Sequence, residues 1–342
     1  MAINVKIIKF KWSESHSIFS SEEYLRSISS DYNWIGGFSN NELVCFVPYT
    51  KKYHKIFGKV VFTVAQFQSS TIYEKEITVE IEKEFLEKAI DLLRNDKVDY
   101  IIQPPTYAVF RTVFSEAVFA SFGTYKLNLL RSEDELWQGI HQKHRNVIRN
   151  AIKNNVDIHE GIEYVDIAYD MIKKTMERSN MGFIERDKFD KVIAGFCKNV
   201  KIFVALHNGD PQSCAVIPYS KYSTYYLYGG TIDEPILGAN NLLHWKAIQL
   251  FRMADVKWYD FVGARINPPA GSKLEGIQRF KLRFGSELQQ GFLWKIGISP
   301  IKAKIYDLIK KHIKKDYDII DQEKKRIISE SDKYITECEK KC

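Results

Sequence analysis

Residues 259–285 read YDFVGARINPPAGSKLEGIQRFKLRFG, and no other stretch restricts the fold as tightly. Trp258 and Tyr259 lead, strand-like, into Asp260. Gly263, Pro268, Pro269 and Gly271 then form a loop that continues neither a strand nor a helix. A short basic-aromatic helix follows, with Arg279, Phe280, Lys281, Arg283 and Phe284. On that helix Lys281, beside Phe280, sits at the mouth of the loop. It can offer a positive charge to a developing oxyanion or to a phosphate. Spacing alone fits equally a solvated helix lysine next to a core phenylalanine.

The rest of the chain alternates strands and helices, which places it in the mixed α/β (α+β) class. Residues 20–30 read as a short helix with Ser20 or Ser21 as its N-cap. Runs 42–48 and 60–67 are rich in β-branched and aromatic residues and read as strands, joined by TKKYHKIFGK as a basic turn. An amphipathic helix over 80–95 precedes strands at 98–102 and 124–130. Helices at 165–178 and 188–197 lead into strands 202–206, 213–219 and 224–228, with Asn208-Gly209 as a hairpin turn. A helix opens at 238–241, strands follow at 256–261 and 287–294, and a lysine-rich helix is expected over 301–341.

Ser132 and Glu135 have capping-box spacing, and the helix they start is expected to reach about Asn154. No acidic residue lies between Leu136 and Val156. Arg145, Arg149 and Lys153 fall at i, i+4 and i+8, so their charges repel along one face. Such a face either serves an anion or is simply solvated. His141, His144 and His159 lack a carboxylate or cysteine at ligand spacing, so a basic surface helix is expected here and no metal.

Tyr259, Asp260, Phe261 and Gly263, followed by Phe280, Lys281, Phe284 and Gly285, resemble the YDFgG strand end and FKxxFG helix of the Fem-type peptidoglycan-bridge aminoacyl transferases and related GNAT acyltransferases. Arg145, Ile148, Arg149, Asn150 and Ala151 match their RxxIRkA pattern, after a strand resembling TYKLNLL. The resemblance covers roughly residues 30–296 and implies two tandem GNAT-like domains with mixed sheets flanked by helices. The implied boundaries are an N-terminal domain 1–131, a basic linking helix 132–156, an acyltransferase domain 157–298 and a C-terminal helix 299–342. It further implies transfer of an acyl or aminoacyl group onto an amine of a cell-envelope precursor, either a nucleotide sugar or a lipid-linked diphosphate. Lys281 is then the oxyanion stabiliser, with Phe280 holding its direction. Phe183 and Arg186 fit an aromatic-x-x-Arg step whose arginine binds substrate phosphate, although Asp190 stands where the family carries tyrosine. Arg145, Arg149, Tyr226, Tyr228 and Asp260 complete the expected substrate contacts, Asp260 as a proton acceptor or a structural anchor.

Nothing resembling a Ser-His-Asp set or a Cys-His pair is present, so direct attack without an acyl-enzyme is expected. No tightly bound cofactor is expected. The donor is aminoacyl-tRNA or acyl-CoA, and GANNLL stands where acyl-CoA enzymes carry Gln/Arg-x-x-Gly-x-Gly/Ala. Two rivals stand beside this reading: an acyl-CoA-dependent N-acyltransferase acting on an amino sugar, and a non-catalytic RNA- or membrane-binding protein. At 342 residues the chain has room for two domains, and its net charge of +7 permits a polyanionic partner without requiring one. Five scattered cysteines, no signal-like start and no run of membrane-span length point to the cytoplasm. Lys310, Lys311, Lys314 and Lys315, interleaved with aliphatics, suit either a solvated tail or the inner face of an anionic membrane. The sequence leaves the oligomeric state open.

Overall fold

Two units, interleaved along the chain, make up the computed structural model, which describes residues 3–312 and 318–339. One unit comprises Met1–Phe10, Asp31–Phe122 and Gln290–Cys342; the other comprises Lys11–Ser30 and Gly123–Gln289. The division falls inside the strands Val118–Asn128 and Glu287–Gly297, not at the 131, 156 and 298 borders drawn along the sequence.

In the first unit, strands Asn4–Ile8, Asp31–Ser39, Glu42–Ile56 and Lys59–Phe67 form an antiparallel meander. Tyr100–Ile101 adds in parallel, and the end of Glu287–Gly297 pairs with it through Ile296 and Ile101. The helix Val79–Asn95, capped by the Thr78 side chain, buries Phe85, Leu86, Ala89 and Leu93 in a core shared with Tyr49, Phe67 and Trp294. The segment TKKYHKIFGK is not the turn expected of it. Ladder pairing runs on to Ile56↔Lys59, and only Phe57 (φ 47°) and Gly58 (φ 77°) make the turn. Two residues in left-handed conformation match the twist of the strands they join, so a longer loop is unnecessary.

The second unit holds two sheets. Trp258–Asp260 pairs in parallel with Ser223–Tyr225 and antiparallel with residues 126–128. Tyr228–Thr231, Asp210–Pro218, Val200–His207 and Val156–Glu160 form a four-stranded antiparallel sheet. Asn208 (φ 51°) and Gly209 (φ 86°) make the expected hairpin turn. The expected strand 224–228 is broken. The Tyr226 N–H donates to the Asp260 carbonyl (2.8 Å) and the Leu227 N–H to that of Val216 (3.1 Å), so the chain leaves one sheet for the other at this point. Gly230 permits the crossing, because a Cβ there would lie 2.7 Å from the Ile172 backbone.

The helix expected over 132–154 is two helices, Glu133–Gly139 and Gln142–Lys153. Both arms of the Ser132–Glu135 capping box are formed. Ile140 turns extended to enter the core, and the His141 side chain caps the next helix by accepting from the Lys143 N–H (3.1 Å). Ile148 and Ala151 are fully buried in the second unit's core, so this segment packs within that unit. Lys11–Ser30 is tied in by Asn199 Nδ2 donating to Glu14 (3.2 Å), Tyr225 donating to Ser17 (2.9 Å) and Tyr24 stacking on Phe196.

The expected C-terminal helix is described as Pro300–His312 and Ile319–Glu339, while Ile313, Lys314 and Lys315 lie outside the described residues. Ile320 is buried with Ala120, Phe122 and Leu293, and Lys295 pairs with Asp318 (2.8 Å) and Asp321 (3.0 Å). Among the described residues no helix is long and apolar enough to cross a membrane.

Candidate active site around Lys281

Asp260 ends its strand fully buried, beside the parallel end of Ser223–Tyr225. The carboxyl ends of adjacent parallel strands are where α/β folds commonly place ligands. The Asp260 carboxylate accepts from the Thr124 hydroxyl and from the Val262 N–H (2.8 Å), and its second oxygen lies 3.9 Å from Lys126 Nζ. Burial pushes its carboxyl above the usual range, against the opposing pull of Lys126, Thr124, Val262 and Lys281. With these donors in place the carboxylate anchors the turn that follows it.

That turn is strained. Val262, a β-branched residue, sits at φ 49° and Gly263 at φ 67°. The left-handed region is unfavourable for a side chain branched at Cβ and costs on the order of 1–3 kcal/mol. The conformation aims two successive carbonyls at one point, and Lys281 Nζ occupies it. It donates to the Val262 carbonyl and to that of Gly263 (2.6 Å). Lys281 is therefore no surface lysine; it is 7% exposed. Burial lowers its pKa to about 8, and Asp260 partly counters the fall. An ammonium has three donors, and two are taken here, leaving one for a substrate oxygen.

The helix Lys273–Leu282 that presents Lys281 starts at Ser272, whose side chain accepts from the Glu275 N–H (3.2 Å). Its far end is fixed by the Arg283 carbonyl accepting from the His141 N–H (2.8 Å) and by Gly285, whose left-handed φ of 79° brings it against the Gly139 carbonyl. Phe280 contacts the rings of His144 (5.3 Å), His244 (5.5 Å) and Phe284 (5.2 Å).

Those two histidines are the residues that reading the sequence missed. His244, on the helix Ala239–Met253, is fully buried; its Nδ1 meets the Tyr259 hydroxyl (2.8 Å) and its Nε2 has no partner. Its ring lies 4.4 Å from that of Tyr226. Burial lowers its pKa to about 3, with further lowering from His144 and Lys281. His144, expected on a basic surface, is buried against Phe280 and Phe284 with Nδ1 unpartnered, and burial lowers its pKa to about 4. Both imidazoles are neutral at pH 7. The available signal for His244 was its place at i, i+4, i+7 with Ile248 and Phe251, on the buried stripe of an apolar helix.

Lys281, Phe280, Asp260 and Tyr226 thus converge, and Tyr226 is held over Gly229, where a Cβ would meet its hydroxyl at 1.8 Å. The other expected contacts fall elsewhere. Arg186 is engaged by Asp190 (2.8 and 2.9 Å) and Asp166 (2.5 Å). Tyr228 packs on Phe183 and Phe189, and burial pushes its phenol up to about 12. Arg145 spends its guanidinium on the carbonyls of Gln138 (2.8 Å) and Ile140 (2.9 Å), tying down the end of Glu133–Gly139. Arg149 stays exposed, its guanidinium 5.4 Å from the Trp137 ring centre. Among the described residues no group of three or more His, Cys, Asp or Glu is placed to hold a metal ion.

No protein-family model matches the sequence, and no curated protein matches it either. Solved structures do. FemX superposes with a TM-score of 0.64 at 14% identity, over 87% of this chain and 96% of that one. The C-terminal domain of a putative lysylphosphatidylglycerol synthetase from Agrobacterium fabrum superposes with a TM-score of 0.51 at 12% identity, over 86% and 92%. The chain shares the fold of FemX.

Proposed function

We propose that the protein is an acyltransferase that moves an aminoacyl group from aminoacyl-tRNA onto an amine of a cell-envelope precursor. The observation that carries this reading is Lys281: a buried ammonium, fixed by two carbonyls at a strand end, with one donor to spare, in a chain folded like FemX. The neutral acceptor amine adds to the ester carbonyl carbon, forming the C–N bond and moving the carbonyl π pair onto oxygen. The remaining Lys281 N–H donates to that oxyanion, and a fixed donor inside a dry site stabilises such charge more than water does. Collapse restores the carbonyl and expels the ribose oxygen, which leaves with a proton from the acceptor nitrogen. Asp260 holds the turn and takes no proton.

A tRNA donor is favoured over acyl-CoA by the start of the helix Ala239–Met253. Its cap, Gly238 (φ 90°), lies against the Val147 carbonyl, where an added Cβ would sit 2.0 Å away. Protein backbone thus crowds the helix end at which a pyrophosphate would otherwise be seated. Acyl-CoA transfer to an amino sugar is the second reading. Arg149 and the exposed basic side chains near it are the proposed contacts to the phosphates of the donor or acceptor. The test is product mass spectrometry, with the protein given charged tRNA or acyl-CoA alongside an amine-bearing nucleotide-sugar peptide or an amino sugar. Transfer from charged tRNA that Lys281→Met abolishes supports the proposal. Transfer from acyl-CoA alone moves the function to the second reading, and transfer from neither overturns both.

A further inference from the structure

The hairpin joining Glu42–Ile56 to Lys59–Phe67 ends in an apolar tip. Phe57 at the turn is completely exposed, and Ile56 and Val60 beside it are also exposed. Their neighbours are Lys52, Lys55 and Lys59, and no acidic residue occurs anywhere between Leu43 and Tyr73. Beside this tip lies the helix Pro300–His312, joined to it by Tyr306, whose ring meets His54 (5.4 Å) and Phe62 (6.0 Å). Ile56 and Ile309 line one groove of about 270 Å³ between hairpin and helix.

The helix is oriented against the usual rule. Ala303 is buried, and Tyr306 and Asp307 face inward, Asp307 accepting from the Tyr100 hydroxyl (2.9 Å). At 100° per residue, Ile301, Ile305 and Leu308 share the opposite side, and all three are exposed, Ile301 by 75% and Leu308 by 59%. Lys302 and Lys304 flank that stripe, Lys302 reaching Asp99 (2.9 Å). Amphipathic surface helices normally turn their apolar stripe toward the core. An apolar stripe bordered by lysines and turned outward, beside an apolar tip ringed by lysines, has the design of an interfacial anchor. The aliphatic groups enter the acyl boundary while the ammonium groups meet anionic headgroups.

We infer that this face of the first unit, Phe57 with Ile56 and the Ile301–Ile305–Leu308 stripe, docks on an anionic lipid surface. Charge complementarity selects that occupant: lysines surround the apolar groups, and the one carboxylate of the helix is turned away and occupied. The inference is independent of the Lys281 chemistry, since none of these residues belongs to that site.

Co-sedimentation of the full chain with vesicles tests it. Phosphatidylcholine vesicles containing one-third phosphatidylglycerol should bind at least about tenfold more protein at low salt than pure phosphatidylcholine vesicles, and high salt should weaken the binding. The double variant Phe57→Ser, Leu308→Ser should lose at least about tenfold of that binding, and Lys55→Glu, Lys59→Glu should lose the anionic preference. Because these side chains are exposed, circular dichroism and thermal midpoint should stay close to the parent for both variants. Equal binding to both vesicle types, binding untouched by the Phe57 variant, a soluble dimer that the same variant dissolves, or preferential retention of RNA would each overturn the inference.

Discussion

Lys281 Nζ donates to the carbonyl of Val262, a residue nineteen positions earlier whose backbone is held in the left-handed region at φ 49°. The ammonium and the strained turn depend on each other. Without the lysine, two carbonyls would converge with no donor between them; without the turn, the lysine would have no reason to be buried.

Lys281→Met keeps much of the stem and removes the charge. Under the proposed chemistry kcat should fall on the order of a hundredfold or more while KM stays within about twofold. A loss confined to KM that grows with salt would instead mark a phosphate contact. If neither constant moves, Lys281 is only the clamp of the Val262 turn.

Acid should destabilise the fold through two histidines. In the unfolded chain His144 and His244 take up protons near 6.5, while burial holds them near 4 and near 3 in the folded state. Between those values the unfolded chain binds more protons, so stability falls as pH drops below 6.5. Lys281, lowered from 10.5 to about 8, acts with the same sign higher up, adding stability as pH rises from 8 toward 10.5. Thermal unfolding of His144→Gln and His244→Phe between pH 7 and pH 5 should show a shallower dependence than the parent. Parallel curves would remove the histidines from the account.

Arg145 and Arg149 should separate. Arg145→Ala strips donors from the Gln138 and Ile140 carbonyls and should cost about 1–2 kcal/mol of stability with KM unchanged. Arg149→Glu should leave stability nearly intact and raise the KM of a phosphate-bearing substrate, most strongly at low salt. Urea unfolding and steady-state kinetics on both variants distinguish the two roles, and identical behaviour would refute the division.

Gly229→Ala sets a methyl group against the Tyr226 hydroxyl at 1.8 Å. Tyr226 must then leave its place beside His244, and the overpacking should cost about 1–3 kcal/mol. Its fluorescence environment should change with it. Tyr226→Phe in the same background should recover part of the loss, since it removes the clashing oxygen.

What the sequence made legible was local. The Ser132–Glu135 box and the Asn208-Gly209 turn each need only a few neighbouring residues, and both formed as expected. The motif drew attention to Lys281 but not to its burial, because the left-handed turn at Val262 and Gly263 that aims two carbonyls at the ammonium leaves no mark in residue spacing. Arg186 shows the same limit from the other side. The family resemblance implied a phosphate ligand there, and the structure shows its guanidinium engaged by Asp190 one turn on and Asp166 on another helix. The break at Ile140 was hidden because periodicity continues across a residue that merely turns inward. His144 was lost among basic neighbours, although it alone of that group faces the Phe280–Phe284 pair.

The interleaving of the two units bears on how the chain folds. The partners of Lys11–Ser30, Asn199 and Tyr225, follow it in the chain by some two hundred residues. The first unit spans a similar separation, since Ile101 pairs with Ile296. Neither unit is continuous in sequence, so no single cut releases either one intact. Each unit therefore completes its pairing only when segments far apart in the sequence meet, a non-local topology that slows folding.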